Sequence, residues 1–339
     1  MNLKNEITKI HYNKKTNSCL NPLLVFLSFF YEKITSFRNY LYDKNILKSE
    51  KVDAFVISVG NLTTGGVGKT PVVAELANYF CKKDKRVAII SRGYGGKLSN
   101  KKVNLISDGS DIFYNAQDAG DEPYWFAENV KGVYVLTCSN RVKAAKYAIR
   151  NLGVNVIILD DAFQHRKIQR DLNLILIDSE KLFGNVKHLP AGPLRENLNG
   201  LKRADKVIIM NKTAQKIDKN ILSSIFKSFD EEKTFVCNVI PGYTYNIKTA
   251  EVLPLKSDVF GLCAIGQPEQ FYNFLKLKFN LLDTYTYDDH HSYSYREISR
   301  LKGNIVTTEK DAVKLKKFDT DNIFALKLKL ELDVEGLLK

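Results

Sequence analysis

From residue 54 onward the apolar positions follow two rhythms. Short continuous runs at Ala54–Val59, Arg86–Ile90, Val133–Thr137, Val154–Leu159, Leu172–Ile177 and Lys206–Met210 read as strands buried on both faces. Between them, Thr70–Lys82 and Ser139–Leu152 space their apolar residues as helices do. This alternation predicts an α/β fold with a doubly wound, mainly parallel sheet. The rhythm changes near Pro241-Gly242-Tyr243. Beyond it come strands at Val259–Ile265, Asn304–Thr307 and Asn322–Leu328, a helix at Pro268–Phe279 and a short helix after Asp311. The division expected is an N-terminal segment at 1–48, a core domain at 49–240 and a smaller α/β domain at 241–339, with a linker near 238–250.

The N-terminal segment has a pattern of its own. Residues 1–20 are polar and lack the apolar core of a signal peptide. The run from Asn21 to Tyr31 is too short to span a bilayer, which takes about 20 helical residues. Read further, Leu23, Leu27, Phe30, Ile34, Phe37 and Leu41 form a helical stripe, with Lys33, Arg38 and Lys44 between them. Such a helix either packs on the body of the protein or lies in a membrane interface. The pattern alone favours packing.

Chemistry enters at the end of the first strand. The run Thr63-Thr64-Gly65-Gly66-Val67-Gly68-Lys69-Thr70 follows a strand and opens a helix, the context that a phosphate-binding loop requires. Its glycines let backbone N–H groups close around phosphate oxygens, and the helix N-terminus adds favourable dipole charge. Lys69 would reach the β- and γ-phosphates of ATP, and Thr70 would hold Mg2+. One position departs from the usual pattern: Thr63 stands where glycine is standard. Asp160-Asp161 ends an apolar strand, where a carboxylate holds Mg2+ directly or through water.

Composition narrows the rest. Over 339 residues the formal net charge is +13, which favours an acidic partner such as nucleic acid, a phosphorylated metabolite or an anionic membrane. No zinc-finger, helix-turn-helix or RNP signature supports nucleic acid. Cys19, Cys81, Cys138, Cys237 and Cys263 are far apart and form no CxxC pair. That argues against a disulfide framework or a zinc site and suits a reducing compartment. Asp288-Asp289-His290-His291 could activate a hydroxyl if it lay beside the phosphates. Gly120-Asp121-Glu122-Pro123 reads by itself as a turn. Arg141, Arg166, Arg170 and Arg195 fall near predicted strand ends, where arginine suits phosphate recognition, although each taken by itself reads as a solvated charge.

Together these pieces resemble the tetraacyldisaccharide 4'-kinase family over nearly the whole chain. The resemblance is carried by Ser58-Val59-Gly60-Asn61 with Gly65 to Pro71, by Ser91-Arg92-Gly93-Tyr94-Gly95-Gly96, and by Gly120-Asp121-Glu122-Pro123. It continues in Asp160-Asp161-Ala162-Phe163-Gln164-His165, Leu189 to Glu196, Ala264 to Pro268, Asp289-His290, and Thr307 to Ala312. Alanine stands at 162, where many members carry glycine. The residues before Pro22 match nothing in the family pattern.

The resemblance implies a reaction in which ATP phosphorylates the 4'-hydroxyl of a tetraacylated glucosamine disaccharide 1-phosphate, on the path to lipid A. It implies Asp121 as the group that takes or polarises the hydroxyl proton, with His290 as its partner. It implies Asp160, Asp161 and Glu196 around Mg-ATP, and Tyr94, Arg141, Gln164 and His165 facing the disaccharide. The partner expected is an anionic glycolipid at the cytoplasmic face of the inner membrane, with no nucleic acid and no obligate protein partner. A lipid substrate also turns the reading of the 23–41 stripe toward the membrane interface. The rival reading is a nucleotide-switch ATPase or GTPase cycling on a membrane. Thr64 stands against it, because such switches commonly carry lysine there.

Overall fold

The structure is a computed structural model that describes residues 3–12, 21–213, 217, 231–266, 268–288 and 291–339. The first half contains α1 (Leu3–His11), α2 (Asn21–Asp43), β1 (Phe55–Gly60), α3 (Lys69–Cys81), β2 (Val87–Ser91), β3 (Asn104–Ser107), α4 (Ala116–Ala119), α5 (Asp121–Asn129), β4 (Tyr134–Thr137), α6 (Arg141–Leu152), β5 (Val156–Asp160) and β6 (Leu172–Asp178). The second contains β7 (Lys206–Asn211), β8 (Thr234–Asn246), β9 (Asp258–Cys263), α7 (Pro268–Lys278), β10 (Asn280–Thr286), α8 (Tyr295–Ile298), β11 (Asn304–Thr308), α9 (Glu309–Leu315), β12 (Ile323–Glu331) and α10 (Val334–Leu338).

Among the described residues, all the strands join one 12-stranded sheet in the order β10-β9-β11-β12-β8-β7-β6-β1-β5-β2-β4-β3. Every neighbouring pair is parallel except β12 with β8 and β3 with β4. The expected α/β class and mainly parallel sheet are therefore present. β1 lies between β5 and β6, and its register places Val59 beside Asp160. The chain leaves β1 at the carboxyl edge, where open α/β sheets hold their ligands.

The expected linker near 238–250 is instead largely strand. β8 pairs with β7 through Thr234–Asn238 and with β12 through Asn238–Asn246. Pro241-Gly242-Tyr243, read as a break, sits at a bulge. Leu326 opposes Thr244 and Leu328 opposes Pro241, so two residues of β8 face one of β12. A bulge tolerates proline because the ladder is already interrupted there. One apolar cluster runs from Ile57 and Leu76 through Phe126 and Val239 to Phe271, Leu326 and Leu337. Cys138, Cys237 and Cys263 are buried and Cys81 is half-buried, none of them in a disulfide.

α2 is inside-out for a soluble protein. Its inward residues are small or polar: Ser28 and Thr35 are buried, the Tyr31 hydroxyl donates to the Arg195 carbonyl at 3.1 Å, and Asn39 Nδ2 donates to Glu196 at 2.7 Å. Its outward residues are apolar. Leu23, Phe26, Phe30, Ile34 and Phe37 are exposed, Ile34 at 69%. Among the described residues no helix is long and apolar enough to cross a membrane.

Candidate active site

The nucleotide loop is built by β1 and α3. Gly68 is the N-cap of α3 with φ 107°, in the left-handed region that glycine alone enters freely. Thr63 needs no such freedom. It forms an antiparallel bridge with Leu194, and the Thr64 N–H donates to the Pro193 carbonyl at 2.8 Å. Thr63 and Thr64 thus brace the base of the loop, while Gly65 through Thr70 line the cleft. Asn61 is fully buried and donates to the Thr63 carbonyl at 2.6 Å. Its Oδ1 accepts from the Lys69 ammonium at 3.2 Å. Lys212 donates to the Gly66 carbonyl at 2.6 Å and to Asp178 at 2.8 Å.

Asp160 ends β5 and Asp161 follows it, and their environments are opposite. Arg195 Nη1 reaches both oxygens of Asp161, at 2.7 and 2.9 Å, and Lys69 Nζ lies 3.4 Å from one of them. Burial alone would raise the Asp161 carboxyl, but the Lys69 and Arg195 cations hold it far below the usual range. Asp160 is 2% exposed. Burial, then the Glu122 and Asp161 carboxylates, push it up to about 7.

Asp121 begins α5. The expected turn at 120–123 is instead a helix start: Gly120 is the N-cap, and Pro123 falls in the first turn, where its missing N–H costs nothing. The Gly120 φ of 94° and the Tyr94 carbonyl, 2.6 Å from where a Cβ would sit, exclude a side chain there. Asp121 Oδ2 lies 2.9 Å from Lys314 Nζ, and Glu122 lies 2.6 Å from Lys310. Both lysines project from α9, so the far half of the sheet supplies the cations that hold these acids. Neither lysine was assigned a role from the sequence. Their spacing of four on a helix was the available signal, but their partners lie on a distant segment.

A cleft of about 1290 Å3 gathers the loop, Asp121, Asp160, Asp161, Lys314 and part of the inner face of α2. Tyr94, Arg141, Gln164 and His165 line it as well. Tyr94 is exposed, whereas Arg141 is buried and donates to the carbonyls of Cys138 and Ser139. Burial, then Arg141 and other cations, lower His165 to about 4, so its ring is neutral. Gln164 Nε2 is engaged by the Asn61 carbonyl and Glu196.

Glu196 is the clearest departure from expectation. It is fully buried, and its oxygens accept from Gln164, Asn39 and Arg203 at 3.0, 2.7 and 2.6 Å. It does not line the cleft. Through Asn39 it ties α2 to the body, and its contacts with Gln164 and Arg203 take up most of the acceptor capacity of the carboxylate that the sequence reading placed at Mg2+. Asp289 and His290 lie outside the described residues. His291 stacks on Tyr287 with centroids 4.5 Å apart and meets Glu297 at 3.1 Å.

The family model for tetraacyldisaccharide-1-P 4'-kinase matches residues 20–339. The chain belongs to that family. It is 37% identical to the tetraacyldisaccharide 4'-kinase of Aquifex aeolicus, over 94% of this chain and 97% of that protein. It is 35% identical to that of Halothermothrix orenii, over 93% and 89%. A crystal structure of the "apo" form of LpxK from Aquifex aeolicus in complex with ATP superposes with a TM-score of 0.78 at 36% identity, covering 94% of this chain and 97% of that one. The enzyme is a phosphotransferase with a hydroxyl acceptor, the tetraacyldisaccharide 4'-kinase of lipid A biosynthesis.

Proposed function

We propose that the cleft holds ATP with its phosphates on the 65–70 loop, and that Asp121 receives the proton of the sugar 4'-hydroxyl as the γ-phosphoryl group is transferred. The observation that carries this is the convergence of Lys69, Asp160 and the lysine-held Asp121 on one cleft. Phosphoryl transfer needs positioning and charge neutralisation more than covalent chemistry. The loop amides and Lys69 supply the first, and Lys69 and Arg195 supply cationic charge. Asp121 accepts the proton while Lys314 fixes its carboxylate and offsets its charge.

The donor set suits Mg2+. Thr70 and Asp160 offer hard oxygen ligands, and the buried, acid-flanked Asp160 carboxyl is the kind of charge a divalent cation relieves. Mg2+ bound there would neutralise phosphate oxygens. Asp161, held by Lys69 and Arg195, instead positions the lysine. The apolar outer face of α2 suits an anionic membrane surface, where Lys33 and Lys44 face headgroups and Phe26, Ile34 and Phe37 enter the acyl boundary.

The test is transfer of radiolabelled phosphate from ATP to the disaccharide 1-phosphate, comparing wild type with Asp121→Ala and Lys69→Ala. Both variants should lose at least about a hundredfold in kcat. Full activity in Asp121→Ala would remove it from the proton-accepting role. ATP turnover indifferent to the lipid would favour a nucleotide switch.

A further inference from the structure

Residues 3–12 precede the stretch that the family model matches, yet they are tied to the nucleotide loop. The Asn185 N–H donates to the His11 carbonyl at 2.8 Å, and its Nδ2 donates to the Ile10 carbonyl at 3.0 Å. These bonds satisfy carbonyls that the end of α1 leaves open. The same Nδ2 donates to the Ala191 carbonyl at 2.8 Å. Burial lowers the His11 pKa, so the ring is neutral. Its Nε2 lies 2.9 Å from the Pro190 carbonyl, which fixes the proton on that nitrogen. Ile10 and His11 are each 7% exposed.

The segment 190–193 carries this contact to the loop. Pro193 accepts the Thr64 N–H at 2.8 Å. On the other side of the same residue, the Tyr12 hydroxyl lies 3.3 Å from the Thr64 carbonyl. Burial, then the Asp178 carboxylate, push that hydroxyl up to about 12, so it keeps its proton and donates. The Lys181 ammonium sits 4.9 Å from the Tyr12 ring centroid and holds the ring in place. Both backbone polar groups of Thr64, the residue before the first loop glycine, are thereby fixed.

We propose that Ile10, His11 and Tyr12 form a strut that holds the ATP loop in its binding conformation, and so sets nucleotide affinity rather than phosphoryl transfer or lipid binding. The inference rests on the assignment of the cleft to ATP. A loop ordered in advance loses less freedom when its ligand arrives. Without the strut that ordering would be deferred to the binding step, and the loss would appear in the affinity for ATP.

The test compares the full chain, a variant lacking residues 1–12, and Tyr12→Phe. Calorimetry measures affinity for a non-hydrolysable ATP analogue with Mg2+, and steady-state kinetics measures KM for ATP and for lipid. Removal of 1–12 should weaken analogue binding about tenfold and Tyr12→Phe about two- to threefold, as expected for a few modest hydrogen bonds. KM for ATP should rise in parallel, with kcat and KM for lipid within about twofold of wild type. Unchanged analogue affinity in the folded truncation overturns the strut. So does lost vesicle binding with an unchanged KM for ATP, which would assign the segment to the membrane. If the truncation does not fold, Tyr12→Phe decides on the same criterion. Wild type that fails to bind the analogue would overturn the ATP assignment itself, a result distinct from the others.

Discussion

Lys314 Nζ lies 2.9 Å from Asp121 Oδ2, joining α9 on the second half of the sheet to the first residue of α5 on the first half. The ammonium is 12% exposed and the carboxylate 20%, so the pair is screened less than a surface ion pair. Lys314→Met should lower kcat about ten- to a hundredfold while leaving KM for ATP within about twofold, because the lysine orients the proton acceptor and not the nucleotide. Steady-state kinetics at saturating lipid reads this directly. A variant with wild-type kcat would reduce the contact to a structural tie.

Gly120 supports the same carboxylate from behind. A Cβ there would meet the Tyr94 carbonyl at 2.6 Å, and the backbone φ is 94°. Gly120→Ala should cost about 1–3 kcal/mol in stability and move the start of α5. Thermal melting should show the loss, and kcat should fall with it. A variant as stable and as active as wild type would contradict the geometry.

Asp160 gives a pH dependence. Its folded pKa, about 7, lies above its ordinary value of 3.8. Its favourable contribution is therefore complete below the ordinary value and is lost as pH rises through about 7. Above that, the enzyme without metal or nucleotide carries a buried, ionised, acid-flanked carboxylate. Asp160→Asn should raise the melting temperature at pH 8 by about 3 °C and change it less at pH 5. Mg2+ with nucleotide should stabilise wild type at pH 8 far more than this variant. Equal shifts at both pH values would mean that Asp160 is not titrating as the structure requires.

What could be read from the sequence was what a residue's own neighbours dictate. The loop at 65–70 was legible because glycine and the strand-to-helix context encode the cradle locally. The buried strands β1, β2, β5, β6 and β7 were legible as continuous apolar runs. β10 was not, because Asn280, Asp283 and Thr284 on this edge strand face solvent and break any such run. α5 was hidden because Gly120 and Pro123, breakers elsewhere, are tolerated at a helix start. The apolar stripe of α2 was legible as a period, but not the direction it faces. Its inward face is set by Tyr31 and Asn39, whose partners Arg195 and Glu196 are more than 150 residues away. The same long-range pairing hid the structural role of Glu196 and the contribution of Lys310 and Lys314.

Glu196 separates a structural carboxylate from a metal ligand. Its oxygens accept from Asn39, Gln164 and Arg203. Glu196→Ala removes the fully buried acceptor shared by Asn39, Gln164 and the partly buried Arg203, and should destabilise the fold by about 2–4 kcal/mol. The Mg2+ concentration needed for half-maximal activity should stay within about twofold of wild type in the folded fraction. A large rise in that requirement, with stability unchanged, would return Glu196 to the metal.

The outer face of α2 makes the last prediction. Ile34 and Phe37 are 69% and 63% exposed, one turn apart on a helix whose inner face is occupied by polar contacts. Burying two such side chains in an acyl boundary is worth roughly 1.5–3 kcal/mol each when complete. Replacing both with glutamate should lower binding to phosphatidylglycerol vesicles by at least about tenfold, since it also places like charge against an anionic surface. The substitutions lie outside the Tyr31 and Asn39 contacts, so melting temperature and activity on detergent-dispersed substrate should be close to wild type. Flotation with vesicles at low and high salt separates the two contributions. Loss of the apolar face should persist at high salt, whereas a purely electrostatic attachment should already be released there in wild type. Vesicle binding unaffected by the double substitution would mean that another surface meets the membrane.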